Sequence, residues 1–273
     1  MRYGDLMDSR SGKAIRLKRI FGPEDNKALI MAYSHSIIYG AIKGMKNIAE
    51  IKENLSQVVD EVDAVILNPG TFKFVEELFY GKDKAAVILQ VDYQNYSRKE
   101  ILPYYEGSTQ SLFSLADALK AGVDAVMSYL YFGSADPEIE AAEIKRNQEY
   151  IRQSREYGIP LIIEPRFARE KVEPEKKAEL EIMKLYTRIT QDLGADIIKM
   201  IYPGSTAKLS EIISCLDIPV LIAGGENKGK KQTIANAEAY LSNGASGIIF
   251  GRSIFQSENP KKLSSKLKSI VHS

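Results

Sequence analysis

Eight short apolar segments, each followed by a stretch of helical character, constrain the fold of this chain more than any other feature. They are ALIMAY from Ala28, AVILN from Ala64, AAVILQV from Ala85, AVMSYL from Ala125, PLIIE from Pro160, ADIIKMIY from Ala195, PVLIAGG from Pro219 and GIIFG from Gly247. Their apolar residues are continuous rather than alternating, which is typical of strands buried on both faces of a parallel sheet. Eight strand–helix units in 273 residues predict an α/β fold of the (β/α)8 TIM-barrel type.

The same pattern predicts the domain organisation. No segment rich in Pro, Gly or Ser divides the chain, so we expect residues 1–273 to form a single TIM-barrel domain. Residues 1–27 are expected to be an N-terminal extension that caps the barrel, with a short basic helix from Ser11 to Ile20. A doubly wound open sheet is the alternative, but it usually has fewer units and a glycine-rich turn after its first strand. Here the glycines cluster towards the C-terminus.

Composition excludes several classes of partner. Lys+Arg number 37 and Asp+Glu 36, so the chain lacks the basic surface that nucleic-acid binding requires. One cysteine, Cys215, and two histidines, His35 and His272, argue against a disulfide, a cysteine zinc cluster or a His-rich metal site. We therefore expect no cofactor. The sequence shows neither a signal peptide nor a membrane span, so a cytoplasmic protein without membrane contact is predicted. Cys215 is expected in the core and His272 in solvent.

Glycines follow the last two predicted strands. Gly224 and Gly225 follow the seventh strand, and Gly251 and Arg252 follow the eighth. In TIM barrels these two loops commonly bind phosphate through backbone N–H groups, and glycine lets an anion approach the backbone closely. We predict that these four residues bind the phosphate of a small-molecule substrate. The alternative is that the glycines only form tight turns.

Lys199 is a charged residue inside the sixth apolar segment, between Ile198 and Met200. Burial disfavours the ammonium and so favours the neutral, nucleophilic amine. Such an amine attacks a carbonyl to form a Schiff base, and the iminium then withdraws electrons from the adjacent C–C bond. This is the chemistry of a class I aldolase, which uses no metal. The alternative is a lysine whose ammonium reaches solvent at the mouth of the barrel.

Three segments resemble the class I aldolases of the archaeal fructose-bisphosphate type, a family that also includes aminodideoxyheptulosonate synthases and autoinducer-processing thiolase-like enzymes. They are LGADIIK at 193–199, PVLIAGG at 219–225 and GRSIFQ at 251–256. The resemblance covers nearly the whole chain. It implies that Lys199 forms the Schiff base and that the other two segments bind phosphate. It also implies a homo-oligomer, either a pentamer or a decamer.

The first strand departs from this family's pattern. Its members usually have Asp-His-Gly where this chain has Ser34-His35-Ser36. Ser34 therefore stands at the position of the catalytic aspartate, and a serine hydroxyl is not a base without a partner. Ser34 and His35 remain catalytic candidates by position. His35 is predicted either to shuttle a proton or to hydrogen-bond a backbone carbonyl.

The fifth strand departs as well. Many family members read Tyr-Pro-Arg-Gly, with the tyrosine transferring protons, whereas this chain reads Glu164-Pro165-Arg166. We predict that Glu164 accepts the proton of the substrate hydroxyl and later protonates the enamine, and that Arg166 contacts the substrate. The alternative is a structural ion pair of Glu164 with Lys199 or with Arg166.

A long segment rich in tyrosine follows the third strand. We expect it to act as a lid, with Tyr93, Tyr96 or Tyr104 supplying a phenol; a structural or interface loop is the alternative. Asp92, which ends the third strand, and Tyr131, which ends the fourth, are predicted substrate contacts.

These residues together predict a Schiff-base-forming class I aldolase, a carbon–carbon lyase acting on a small phosphorylated keto sugar or a related carbonyl phosphate. One alternative is a transaldolase- or thiolase-type transferase in a specialised pathway. Another is a barrel that binds a phosphorylated ligand without catalysis. The presence of Lys199 argues against the latter, because a binding protein has no reason to bury an amine in an apolar strand.

Overall fold

Ten strands are present in the computed structural model, which describes residues 9–96, 102 and 107–273. They are β1 Ala28–Tyr33, β2 Ala64–Leu67, β3 Ala86–Gln90, β4 Asp92–Gln94, β5 Thr109–Ser111, β6 Ala125–Phe132, β7 Leu161–Phe167, β8 Ile197–Ile201, β9 Val220–Ala223 and β10 Gly247–Phe250. Eight of them form a closed barrel in the order β1-β10-β9-β8-β7-β6-β3-β2. The remaining two, β4 and β5, form an antiparallel hairpin between β3 and β6. The predicted TIM barrel is confirmed, and the open sheet is wrong, because β1 pairs with β10 and closes the ring.

Helices connect the strands. They are α1 Ser9–Ile20, α2 Ser36–Tyr39, α3 Ile48–Val58, α4 Pro69–Phe72, α5 Leu115–Lys120, α6 Pro137–Tyr157, α7 Leu180–Leu193, α8 Thr206–Ile213, α9 Lys230–Ser242, α10 Arg252–Phe255 and α11 Pro260–Val271, with 3-10 turns at Glu76–Phe79 and Lys176–Ala178. Over the described part of the chain, none of these helices combines the length and apolarity needed to cross a bilayer.

The strands bury side chains on both faces, which explains their continuous apolar sequence. Ile30, Ile88 and Ile162 belong to the apolar cluster inside the barrel. Leu29 and Val65 belong to a second cluster, which the strands form with the surrounding helices. Burying an aliphatic side chain contributes about 1.5–3 kcal/mol, so the alternation of inward and outward residues holds each strand in its place.

Helix α1 lies against the N-terminal ends of the strands. Lys13 Nζ is 2.9 Å from Asp196 Oδ2, just before β8, and Arg19 Nε is 3.2 Å from Asp124 Oδ1, just before β6. Ile20, at the end of the helix, is fully buried in the cluster inside the barrel. These contacts leave the opposite, C-terminal end of the barrel free for a site.

Two minor expectations are wrong. Cys215 is exposed rather than in the core, because α8 ends two residues earlier and the chain turns at the surface. His272 is not solvated, since its Nδ1 lies 2.7 Å from Asp25 Oδ2 and its Nε2 lies 3.0 Å from Asp63 Oδ2. His272 thereby joins the end of α11 to the N-terminal end of the barrel.

The two bonds of His272 give a stability prediction. His272→Ala should lower the free energy of unfolding by about 1–3 kcal/mol, the size expected for a hydrogen bond to a charged group, as measured by urea denaturation. Lys268→Ala is the control, because Lys268 Nζ lies 3.8 Å from Asp63 with 39% of its side chain exposed, and exposed pairs contribute little. Equal losses in the two variants would contradict the proposed role of His272.

Candidate active site

A cavity of about 1130 Å³ opens at the C-terminal ends of the barrel strands. Among the described residues, six cationic and three acidic side chains line it: Arg166, Lys171, Lys177, Lys199, Lys228 and Arg252, against Glu164, Glu170 and Glu226. The whole chain has a net charge of only +1. Positive charge is therefore concentrated here, in a concave site that focuses the field on an anionic ligand.

Lys199 lies on β8 and lines the cavity with 7% of its surface exposed. Its Nζ is 2.7 Å from Glu164 Oε2 on the neighbouring strand β7 and 3.8 Å from Met127 Sδ. The sequence argument from burial alone omitted this carboxylate partner, which lies within reach of the Nζ protons.

Glu164 is held by two cations. Besides Lys199, Arg166 donates from Nη1 to Glu164 Oε1 at 2.9 Å. Burial opposes the charged form, but the charges and hydrogen bonds of Lys199 and Arg166 hold the pKa of Glu164 below its ordinary value. Both ion pairs that the sequence left as alternatives are present. Glu164 is therefore a carboxylate at neutral pH.

Arg166 lines the cavity, but its donors are engaged by protein carboxylates. Its Nη2 donates to both carboxylate oxygens of Glu170, at 2.5 and 2.7 Å, and Nη1 donates to Glu164. Lys177 Nζ lies 3.7 Å from the same Glu170. Arg166 thus supports the carboxylate that faces Lys199, and its predicted contact with the substrate stays a prediction.

His35 lines the cavity beside the last strand. Its ring lies 5.5 Å from that of Phe255, centroid to centroid, and its buried Nδ1 has no hydrogen-bond partner in the described part of the chain. Burial, followed by the charges of Lys199 and Arg252, lowers the pKa of His35 to about 3. The imidazole is therefore neutral at physiological pH. It can form one more hydrogen bond, but it is not a charged acid.

The two glycine loops meet at the cavity. A Cβ on Gly224 would lie 2.5 Å from the Phe250 ring, and a Cβ on Gly251 would lie 2.5 Å from His35 Cε1, so both positions require glycine. Gly225 has φ +69° and borders open space. Arg252 lines the cavity, and none of the ion pairs among the described residues involves it. The glycines leave the backbone of these loops without side chains of its own, and the Arg252 guanidinium lies next to it without an ion-pair partner among the described residues. This combination suits the binding of a phosphate.

Three predicted site residues do not line the cavity. Ser34 Oγ donates to Gln90 Oε1 at 2.7 Å. Asp92 is fully buried behind the barrel wall, where its Oδ2 accepts a hydrogen bond from the backbone N–H of Tyr129 at 2.7 Å. Tyr131 is covered by Tyr96, whose ring stacks on it at 3.8 Å. The prediction that these residues contact substrate is not supported by their positions, because β4 leaves the barrel after β3 ends.

The predicted lid phenols are also absent from the cavity lining. Tyr93 and Tyr96 belong to the segment around β4 and do not line the cavity. Tyr104 lies outside the described residues.

Sequence reasoning missed Tyr129, which lines the cavity. It lies on β6 in register with Glu164 on β7. The sequence did contain a signal for Tyr129. Side chains alternate along a strand, and Tyr131, the predicted substrate contact, lies two residues further along the same face.

Comparisons with known proteins agree with this geometry. The family model of the DeoC/LacD family aldolases matches residues 26–257. An uncharacterized aldolase of Saccharolobus solfataricus is 29% identical over 96% of this chain and 94% of its own length. A 2-amino-3,7-dideoxy-D-threo-hept-6-ulosonate synthase of Archaeoglobus fulgidus is 28% identical over 96% of this chain and 91% of its own. The crystal structure of an archaeal fructose 1,6-bisphosphate aldolase superimposes with a TM-score of 0.78 at 25% identity, covering 95% of this chain and 99% of that one.

Proposed function

Because the chain belongs to the DeoC/LacD family of aldolases, we propose that Lys199 forms a Schiff base with the carbonyl of a small phosphorylated keto compound and that the adjacent C–C bond is then cleaved. The observation that carries the proposal is the buried pair of Lys199 and Glu164, 2.7 Å apart, in a cavity that also holds the glycine loops. An amine beside a carboxylate has a local acceptor for its proton, and Schiff-base formation requires one.

The first step releases the nucleophile. A proton passes from Lys199 Nζ to Glu164 Oε2, and the free amine attacks the substrate carbonyl to give a carbinolamine. Glu164 then returns this proton to the carbinolamine hydroxyl, which leaves as water and gives the iminium, whose positive charge lies beside the restored carboxylate. Arg166 keeps that carboxylate in place through its 2.9 Å hydrogen bond. A charge that is paired before and after the step needs little reorganisation of the site.

The second step breaks the C–C bond. Glu164 accepts the proton of the substrate hydroxyl, the bonding electrons move towards the iminium, and an aldehyde leaves while an enamine remains on Lys199. Protonation of the enamine carbon and hydrolysis complete the cycle. A transferase would share these steps up to the enamine and then add a different acceptor, so the 28% identical synthase relative is consistent with the same machinery.

The substrate class follows from charge. Cationic side chains outnumber acidic ones around the cavity, and Gly224, Gly225, Gly251 and Arg252 lie together at one side of it. A phosphate held there is oriented by backbone groups and one guanidinium. Because the phosphate is fixed, a carbonyl a few bonds away is held near Lys199. Holding the reacting groups together lowers the entropic cost of the reaction.

The test is borohydride trapping followed by intact mass measurement. The panel is dihydroxyacetone phosphate, fructose 1-phosphate, fructose 1,6-bisphosphate and unphosphorylated dihydroxyacetone. We expect one reduced adduct per chain with at least one phosphorylated ketone, formed at lower concentration than with dihydroxyacetone. Absence of an adduct with every member would overturn the proposal.

Arg252 separates binding from chemistry. Arg252→Ala should raise KM for the phosphorylated substrate by roughly 10–100-fold, as expected for losing a charge-assisted contact of about 1.5–3 kcal/mol, while trapping by unphosphorylated dihydroxyacetone stays at the parent rate. Steady-state kinetics and trapping rates measure the two effects. Arg188→Ala is the control, because Arg188 pairs with Asp192 on the exposed face of α7. If KM is unchanged in Arg252→Ala, the loop is only a turn.

We also propose that the protein is a cytoplasmic homo-oligomer, a pentamer or a decamer, as the family resemblance implies. Light scattering coupled to size-exclusion chromatography gives the subunit number.

A further inference from the structure

Tyr129 occupies a position in the cavity that the proposed mechanism has not yet used. It lies on β6 beside Glu164 on β7, at the same level of the barrel. Its side chain lines the cavity and is 7% exposed. Side chains in register on neighbouring parallel strands face the same side of the sheet, so the phenol stands next to the carboxylate that faces Lys199.

The backbone of Tyr129 is held in an unusual way. β3 ends at Gln90 while β6 continues to Phe132, so this stretch of β6 lacks a neighbouring strand on that side. The N–H of Tyr129 donates to Asp92 Oδ2 at 2.7 Å. Its carbonyl accepts from Arg146 Nη2 at 2.5 Å and from Asn147 Nδ2 at 3.0 Å. Three side chains thus replace the missing strand at this one residue.

Two of these three side chains, Asp92 and Arg146, are ionisable and buried, and burial raises the pKa of Asp92 to about 7. Asp92 is fully buried, and only 10% of the Arg146 side chain is exposed. Arg146 also pairs with Glu143 at 2.8 Å. A buried ion pair is weak evidence for stability, because desolvation offsets much of the attraction. What the network does provide is a fixed position for the Tyr129 backbone, since charge-assisted hydrogen bonds are short and directional.

The mechanism needs a second proton carrier. Glu164 is held between Lys199 and Arg166 and accepts the proton of the substrate hydroxyl in the cleavage step, so a second group that stands next to it can carry a proton to the enamine carbon. His35 is neutral at physiological pH and lies on the opposite side, against Phe255. Ser34, Asp92 and Tyr131 do not reach the cavity. Tyr39, Tyr202 and Tyr240 also line the cavity, but Tyr129 is the tyrosine on the strand next to β7, in register with Glu164.

We propose that Tyr129 is a catalytic residue of this aldolase, whose phenol donates the proton to the enamine carbon. The inference rests on the proposed function. The phenolic O–H bond breaks and a C–H bond forms at the carbon next to the iminium carbon, while the enamine electron pair moves from the C–C double bond to that new bond. Glu164, which carries the proton of the substrate hydroxyl, then returns a proton to the phenolate. The hydroxyl proton has in effect moved to carbon, and both side chains are restored.

The protonation state of Tyr129 agrees with this role. Burial, followed by the Glu164 carboxylate, raises the pKa of Tyr129 well above its ordinary value, and Arg166 only partly opposes the shift. The phenol therefore keeps its proton until a strongly basic carbon such as that of an enamine is present.

The test uses Tyr129→Phe, which removes only the hydroxyl. The matched control is Tyr131→Phe, because Tyr131 is also buried on the same strand but is covered by Tyr96. The probe is dihydroxyacetone phosphate. Two quantities are measured: adduct formation with borohydride, and exchange of the carbon-bound hydrogen next to the carbonyl in D₂O by NMR. We expect Tyr129→Phe to be trapped like the parent but to exchange about 10²-fold more slowly, within the range for losing a positioned acid. Tyr131→Phe should match the parent in both.

The outcomes separate the two proposals. A parent protein that no member of the borohydride panel labels, dihydroxyacetone phosphate included, contradicts the Schiff-base function and with it the role of Tyr129. If another phosphorylated ketone of the panel labels the parent in place of dihydroxyacetone phosphate, that ketone is the probe. A parent that is labelled but does not exchange, or a Tyr129→Phe variant that is labelled and exchanges at the parent rate, overturns the role of Tyr129 alone. Equal losses of exchange in Tyr129→Phe and Tyr131→Phe would show a structural effect on β6 and also contradict it. Loss of trapping in Tyr129→Phe would place the tyrosine before the enamine and overturn the assignment as well.

Discussion

Lys199→Met is expected to abolish both turnover and borohydride trapping. Methionine keeps the length and most of the volume of the side chain but has no nucleophile, so the Schiff base cannot form. A class I reaction has no other route to the iminium, and the expected loss is therefore complete within the detection limit of the assay. Intact mass after borohydride measures trapping, and a coupled assay for the released aldehyde measures turnover.

The fold should survive this change. Glu164 loses one of its two cations in Lys199→Met but keeps the 2.9 Å hydrogen bond from Arg166. A carboxylate that retains one buried partner avoids the cost of about 3–5 kcal/mol expected for a fully unpaired buried charge. Far-UV circular dichroism and a thermal melt should therefore show a folded protein that still binds inorganic phosphate.

A lysine outside the cavity provides the control. Lys208 on α8 donates from Nζ to the carbonyl of Ala178 at 3.0 Å and does not line the cavity. Lys208→Met should therefore be trapped and turn over like the parent. Undiminished trapping in Lys199→Met would show that a different amine reacts and would remove Lys199 from the mechanism.

The strands and the main chemical groups were predictable from sequence because each left a local signal. A strand buried on both faces is a continuous apolar run, and all eight predicted segments contain a barrel strand. Lys199 stood out as the charge inside such a run, and Gly224 and Gly251 as glycines just past strand ends. The aldolase family was predicted from the same segments and is confirmed by the family match.

The partners of these groups were less predictable, because they depend on register between strands. No local pattern places Glu164 of β7 beside Lys199 of β8, so the argument from burial alone omitted the carboxylate that faces the amine. Asp92 and Ser34 have the right positions in sequence, at strand ends. The early end of β3 and the departure of β4 from the barrel place Asp92 behind the wall, and Ser34 bonds to Gln90.

Tyr129 and Tyr131 lie two residues apart on the same strand, and the structure gives them different surroundings. Both alternate to the same face, but only the first lies at the level of Glu164, whereas the second lies beneath Tyr96. The cover comes from the segment around β4, whose path the sequence did not indicate. The cationic lining comes from Lys171 and Lys228 on loops and from Lys177 on the 3-10 turn Lys176–Ala178, where residue type alone gave no signal.

Glu164→Gln should slow turnover by roughly 10²–10⁴-fold, the usual range for losing a positioned acid or base, while Lys199 is still trapped. Glutamine has the shape of glutamate and can still accept the hydrogen bond from Arg166, so the site should keep its geometry. It cannot accept a proton from the substrate hydroxyl, so the C–C step is lost. Schiff-base formation persists because the Lys199 amine is retained and solvent can accept its proton.

The pH profile gives an independent readout of the same variant. The pKa of Glu164 is lowered from its ordinary value of 4.5, so the carboxylate is ionised above that value and its contribution to turnover is lost only as the pH falls through the lowered pKa. We expect the parent to keep its activity as the pH approaches 4.5 from above. The residual activity of Glu164→Gln should lack this acid limb.

Glu170→Gln separates catalysis from support of Arg166. Glu170 also pairs with Arg166 but forms no ion pair with Lys199, and glutamine keeps an oxygen that can accept from Arg166, so this variant should change turnover by less than about tenfold. If Glu164→Gln turned over at the parent rate, or if both variants lost the same activity, the carboxylate of Glu164 would be a structural partner of Arg166. Proton transfer would then have to be assigned to a group other than Glu164, because a carboxylate that only neutralises its neighbours takes no part in breaking the C–C bond.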